Sequence, residues 1–179
     1  AYADRVRAQF DAGDRLLLQN EISALPYILE KAHARGMEIW LNPSPMNENV
    51  LKCNLSLVSV FVLNEVEGEQ LTGTKIPTAI LDKLLQKYPH AAAVLTLGSK
   101  GAWYAKEDKR AFAPAELVRA VDTTAAGDTF TGYFMRGMLD GLSPKKSLTL
   151  AAKAAAIAVS RPGAAPSIPL YAEVTNERN

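Results

Sequence analysis

The sequence predicts an α/β fold in which a largely parallel sheet is flanked by helices on both faces. Short apolar runs at 16–19, 37–41, 55–63 and 92–97 read as strands buried on both sides. Segments with helical start and stop residues separate them, and strands alternating with helices at this spacing call for parallel crossovers. The strand runs close on polar residues: Asn20-Glu21, Asn42, Asn64, Gly98-Ser99 and the stretch 122–128. In such sheets ligands bind beyond the C-terminal strand ends, so one polar edge predicts one site.

Each element has a local reason. After Leu16-Leu17-Leu18-Gln19, Ser23 and Pro26 mark a helix start, with Tyr27, Ile28, Leu29 and Ala32 apolar and Gly36 past its end. The strand at 37–41 stops at Asn42-Pro43-Ser44-Pro45, where two prolines forbid helix. Residues 65–71 make a short helix closed by Gly73, and Pro77 opens the next, with Ile80, Leu81, Leu84 and Leu85 on one face. Trp103-Tyr104-Ala105 and Arg110-Ala111-Phe112 flank a charged tip and predict a hairpin. A strand is expected at 117–121, then a helix with Phe130, Tyr133, Phe134, Gly137 and Met138 on its buried face, ended by Gly141. Ser143-Pro144 starts the last long helix, Ala-rich to Val159 and stopped by Arg161-Pro162-Gly163.

At 179 residues, 48% apolar and 22% charged, the chain is expected to form one α/β domain over 1–179. A net charge of +1 gives no reason to expect nucleic acid, and no apolar run approaches a membrane span, so neither is an expected partner. The single Cys53 cannot form an internal disulfide, which fits a cytoplasmic location. One cysteine and two histidines make a Cys/His zinc site improbable. Ala1 opens the chain without an initiator Met, and Tyr2-Ala3-Asp4-Arg5-Val6 reads like the inside of a domain, so a fragment is expected.

The chain is organised around Val121-Asp122-Thr123-Thr124-Ala125-Ala126-Gly127-Asp128-Thr129-Phe130. Ala125, Ala126 and Gly127 let a ligand approach the backbone, and the free N–H groups of a helix start attract an anion. Asp128 in that first turn places a proton acceptor beside a site for developing negative charge, a phosphoryl-transfer arrangement. Capping explains Thr, Asp and Gly at a helix start equally well. Asn64 and Glu67 can share one side of a helix start and place a hydrated divalent cation, or form a plain capping box. The turn Thr96-Leu97-Gly98-Ser99-Lys100-Gly101 has two glycines but is no Walker A loop, and no GxGxxG occurs anywhere.

The run 121–130 resembles the signature of the ribokinase-like, or phosphofructokinase-B family, carbohydrate kinases. Asn-Xaa-Xaa-Glu at 64–67, the turn at 96–101, Gln19-Asn20-Glu21-Ile22-Ser23, Asn42-Pro43-Ser44-Pro45 and residues 161–169 are each similar to ribokinase stretches in the same order. The resemblance implies a Rossmann-like, ribokinase-like fold and an ATP-dependent kinase acting on a primary hydroxyl of a sugar, D-ribose first. It assigns Asp128 as catalytic base, with Ala125, Ala126 and Gly127 as anion site. Asn64, Thr96, Gly98, Ser99, Gly101 and Gly127 then bind nucleotide, and Glu21, with Asp128, the sugar. It gives Glu67 a magnesium ion through water. It gives Asp122, Thr124, Ala158, Arg161, Gly163 and Ser167 a monovalent cation, K+, as activator.

The family's N-terminal half carries a Gly-Gly sugar motif and a β-sheet lid that makes a homodimer, and this chain has no Gly-Gly pair. The expectation is therefore a C-terminal, nucleotide-binding and catalytic portion, with the N-terminal part and lid missing. A fructokinase, another sugar kinase or a nucleoside kinase is the alternative within the family. A non-catalytic nucleotide-binding fragment is the alternative outside it.

Overall fold

The computed structural model describes residues 2–7 and 9–175. In chain order the elements are α1 (Tyr2–Arg7), β1 (Arg15–Gln19), α2 (Leu25–Ala34), β2 (Glu38–Asn42), α3 (Glu48–Leu51), β3 (Val60–Asn64), α4 (Glu65–Thr72), α5 (Pro77–Lys87) and β4 (Ala92–Thr96). They continue with β5 (Ala102–Lys106), β6 (Lys109–Ala113), α6 (Ala126–Leu139), α7 (Pro144–Val159) and α8 (Tyr171–Thr175). The chain divides into two units, Ala1–Leu95 with Ala105–Lys109, and Thr96–Tyr104 with Arg110–Asn179.

In the first unit the strands follow the order β1-β2-β3-β4. β1 pairs parallel with β2, Arg15 opposite Glu38 and Gln19 opposite Asn42, and β2 pairs parallel with β3. A parallel pair needs a crossover, and α2 supplies the first. Leu25, Leu29 and Ala32 recur on one face of α2 and are buried. Ile39, Trp40 and Leu41 are all buried, as the unbroken apolar run of β2 requires of a strand covered on both faces. Trp40 donates its ring N–H to Glu38 Oε1 at 3.0 Å, so its one polar atom is satisfied. Ile80, Leu81 and Leu84 of α5 are buried, and the Phe61 and Tyr88 rings meet at 5.1 Å.

In the second unit α6 and α7 form the core. Phe134, Leu148, Ala151, Ala154 and Ala158 have no exposure. The alanines of α7 let α6 come close: a Cβ on Gly137 would lie 2.8 Å from Ser147 Oγ. The Phe130 and Phe134 rings stack at 6.4 Å, and Tyr104 meets Phe134 at 6.1 Å. Trp103 of β5 and Phe112 of β6 pack at 4.9 Å, the cross-strand pair of the expected hairpin.

Two expectations change. Residues 117–121 form no strand: Leu117 is 95% exposed, and the N–H groups of Val121 and Asp122 both go to the Val159 carbonyl. An extended stretch without a ladder partner is not a strand, however apolar it is. The expected fold with its N-terminal part and lid missing is also corrected: the described residues themselves build an α/β fold, with helices between successive strands from β1 to β4. No described helix is long and apolar enough to cross a membrane.

Candidate active site

The start of α6 is built by an Asp-centred turn. Asp122 Oδ1 accepts the Thr124 N–H at 2.9 Å, which bends the chain after Asp122. Ala125 then takes a left-handed backbone, φ 61° and ψ 9°, and serves as N-cap with no side-chain hydrogen bond. For a residue with a Cβ this conformation costs about 1–2 kcal/mol. The Ala126 N–H reaches back to the Thr123 carbonyl at 3.3 Å. The helix start thus carries the donors of its first turn without a capping side chain. A Cβ placed on Gly127 would meet nothing within 4 Å, so the backbone there faces open space.

Asp128 sits exposed in this first turn. It lines a cavity of about 260 Å³ with Thr129, Gly132, Tyr133, Arg136, Ile168 and Tyr171. Residues 128, 132 and 136 share one helix face, a spacing legible in the sequence but overlooked there. Tyr133, expected on the buried face, instead donates its hydroxyl to the Pro169 carbonyl at 2.7 Å. Burial raises the pKa of that hydroxyl, and the nearby Glu173 and Tyr171 add to the rise. Thr129 is 3% exposed, and its Oγ1 has no hydrogen-bond partner.

The candidates for a monovalent cation fall on the turn and on the loop after α7. Asp122 Oδ2 accepts the Gly163 N–H at 3.0 Å, so one carboxylate ties the two segments. Hydrogen bonds from the Thr124 hydroxyl and N–H, then from the Gly163 N–H, hold the Asp122 carboxyl below the usual carboxylate range. The Ala158 carbonyl takes the Arg161 N–H at 3.1 Å, and buried Ser167 donates to the Ala164 carbonyl at 2.7 Å. Arg161 itself pairs with Glu173. One ionised carboxylate among neutral carbonyls and hydroxyls is a donor set that suits a weakly charged cation.

The turn after β4 separates its glycines. Gly98 (φ 55°) and Ser99 are exposed. Gly101 is required by the fold: φ is 117°, and a Cβ would lie 2.2 Å from the Ala113 carbonyl oxygen. Thr96 is half-buried at the end of the strand.

The remaining candidates belong to the first unit. Glu21 is exposed in the turn after β1. That turn is fixed by its neighbour Asn20, whose Nδ2 donates to the Pro45 carbonyl at 2.6 Å. Asn64 and Glu67 form a full capping box on α4: Asn64 Oδ1 accepts the Glu67 N–H, and Glu67 Oε2 accepts the Asn64 N–H, each at 3.0 Å. Glu67 Oε1 takes Asn64 Nδ2, and the residue is 5% exposed. Each oxygen accepts a hydrogen bond from Asn64 and the side chain is turned inward, a geometry that fits the capping role better than a carboxylate presented to a hydrated magnesium ion.

Residues 13–170 match the family described as pfkB family carbohydrate kinase. The chain is 35% identical to ribokinase of Schizosaccharomyces pombe over 192 residues, covering 100% of this chain and 59% of the relative. It is 33% identical to ribokinase of Haemophilus influenzae, covering 93% and 56%. Among solved structures, ribokinase of Thermotoga maritima superposes with a TM-score of 0.76 at 32% identity, over 91% of this chain and 56% of that one. Arabidopsis thaliana ribokinase, solved with ribose and ATP, gives 0.78 at 29% identity, over 90% and 55%. The chain thus spans little more than half the length of these relatives. The expectation that the chain is a C-terminal portion of such a kinase is corrected to the finding that the family likeness runs through nearly the whole chain. Residues 13–170 place the chain in the pfkB family of carbohydrate kinases.

Proposed function

We propose that the chain carries the phosphoryl-transfer centre of an ATP-dependent sugar kinase with D-ribose as acceptor. The observation that carries this reading is the uncapped start of α6, with open space at Gly127 and an exposed carboxylate at Asp128 in the same turn. The likeness to ribokinases, one of them solved with ribose and ATP, supports the choice of substrates.

Asp128 accepts the proton as the sugar's primary hydroxyl oxygen bonds to the γ-phosphorus, and the bond to the β-phosphate oxygen breaks to release ADP. N–H groups at Gly127 and its neighbours stabilise the charge on the transferring group. Thr96, Gly98, Ser99, Gly101 and Asn64 hold the nucleotide, and Glu21 orients the sugar. Asp122 and Thr124, with Ala158, Arg161, Gly163 and Ser167, would hold a potassium ion, whose charge would order the loop beside the anion site. Family membership implies ATP used with magnesium, but the buried Glu67 carboxylate gives no reason to route a step through that ion. The same reading includes a cytoplasmic homodimer.

The test is ADP release coupled to NADH oxidation across ribose, deoxyribose, fructose and nucleosides, with ATP binding measured by calorimetry. Preference for another acceptor overturns the assignment of ribose, and binding without turnover makes the chain a nucleotide-binding module.

A further inference from the structure

Arg161 lies on the loop after α7, and its side chain reaches Glu173 on α8. We propose that Glu173 is a positioning residue that acts through Arg161 to set the loop 160–167. This rests on the reading of that loop as a cation site.

Arg161 Nη2 donates to Glu173 Oε1 at 2.5 Å, and Glu173 Oε2 accepts the Leu170 N–H at 2.7 Å, so both carboxylate oxygens are engaged. Five residues do not make a stable helix alone. α8 is held from outside: Tyr171 stacks on Tyr133 at 6.3 Å, Arg136 lies over the Tyr171 ring at 5.1 Å, and Tyr133 bonds the Pro169 carbonyl. All of these anchors lie on α6.

The other end of the loop returns to α6. Two residues beyond Arg161, the Gly163 N–H binds Asp122, which also holds Thr124 just before the α6 start. The circuit runs from the middle of α6 through α8, Glu173, Arg161 and Asp122 to its first turn. Gly163 has φ 87° and Pro162 precedes it, so the loop leaves helical geometry after Arg161, and these two ties link it to α8 and to the turn before α6. Arg161 and Glu173 are 38% and 41% exposed at their side chains, so the pair adds little to global stability. Its removal therefore tests position and not folding.

The experiment compares the wild-type chain with Glu173→Gln, and with the exchanged pair Arg161→Glu/Glu173→Arg. Thermal midpoints are titrated with potassium chloride against tetramethylammonium chloride, and amide exchange is followed at the three N–H groups of 160–163, those of Ser160, Arg161 and Gly163. Glu173→Gln is expected to raise the half-saturating potassium concentration about 3–10-fold, the order of indirect coupling. It should also speed exchange at 160–163 while leaving the salt-free midpoint unchanged, with partial recovery in the exchanged pair. Unaltered exchange in Glu173→Gln overturns the proposal. A wild type without any potassium-specific shift overturns the cation reading instead, and the exchange result then decides on Glu173 by itself.

Discussion

Replacing Gly127 by alanine separates the fold from the chemistry at the helix start. Gly127 is the second residue of α6, its φ lies outside the left-handed region, and the added Cβ meets no atom within 4 Å. The protein therefore has no steric objection. Alanine is favoured over glycine inside a helix by about 0.8–1.0 kcal/mol, and a first-turn position keeps about half of it. At roughly 2–4 °C per kcal/mol for a chain of this size, the midpoint should rise by about 1–2 °C. A phosphoryl oxygen must come within about 3 Å of the backbone N–H, and the new methyl occupies that approach. Loss of one such donor lowers turnover by about 10²–10³-fold. Differential scanning calorimetry and the coupled ADP assay read the two effects on one preparation. A more stable variant with undiminished kcat/KM would show that the open space at Gly127 is not where the phosphoryl group is transferred.

The remaining predictions bear on the supports of that turn. Asp122 has its carboxyl pKa lowered in the folded chain, so it stabilises the fold above its unfolded value near 3.9, and that contribution is lost as pH falls through the lower folded value. The midpoint should accordingly fall more steeply below about pH 4 in the wild type than in Asp122→Asn, and parallel acid limbs would refute the role. Gly137→Ala forces a Cβ to 2.8 Å from Ser147 Oγ and should destabilise by about 1–3 kcal/mol in urea melts, with Ser147→Gly restoring part of the loss.

Elements fixed by local rules were open to sequence reasoning. The apolar run 37–41 locates β2, and the i, i+3, i+4 spacing of Leu81, Leu84 and Leu85 locates α5, because burial on one face or two leaves a periodic trace. The run 121–130 is legible for a related reason, since small residues before a carboxylate constrain a helix start. Residues 117–121 read as an apolar strand interrupted by Arg119, but pairing is a matter of neighbours, and here the Val159 carbonyl takes the N–H groups of Val121 and Asp122. Asn64 and Glu67 have identical spacing in a capping box and in a metal motif, and only the inward turn of the Glu67 carboxylate distinguishes them. Gly101 reads as a nucleotide contact, whereas its φ and the nearby Ala113 carbonyl give it a structural necessity that sequence spacing cannot convey. Glu173 lies on a short helix with no periodic signal, and its link to Arg161 exists only in three dimensions.

The most direct test of the account is turnover of Asp128→Asn with ribose and ATP, set beside its affinity for ATP. The substitution keeps the shape of the exposed first-turn side chain and removes its ability to accept a proton. The account predicts a fall of about 10²-fold or more in kcat, the order lost with a general base, with ATP affinity unchanged by calorimetry. Near-normal turnover would contradict it and remove Asp128 from the mechanism.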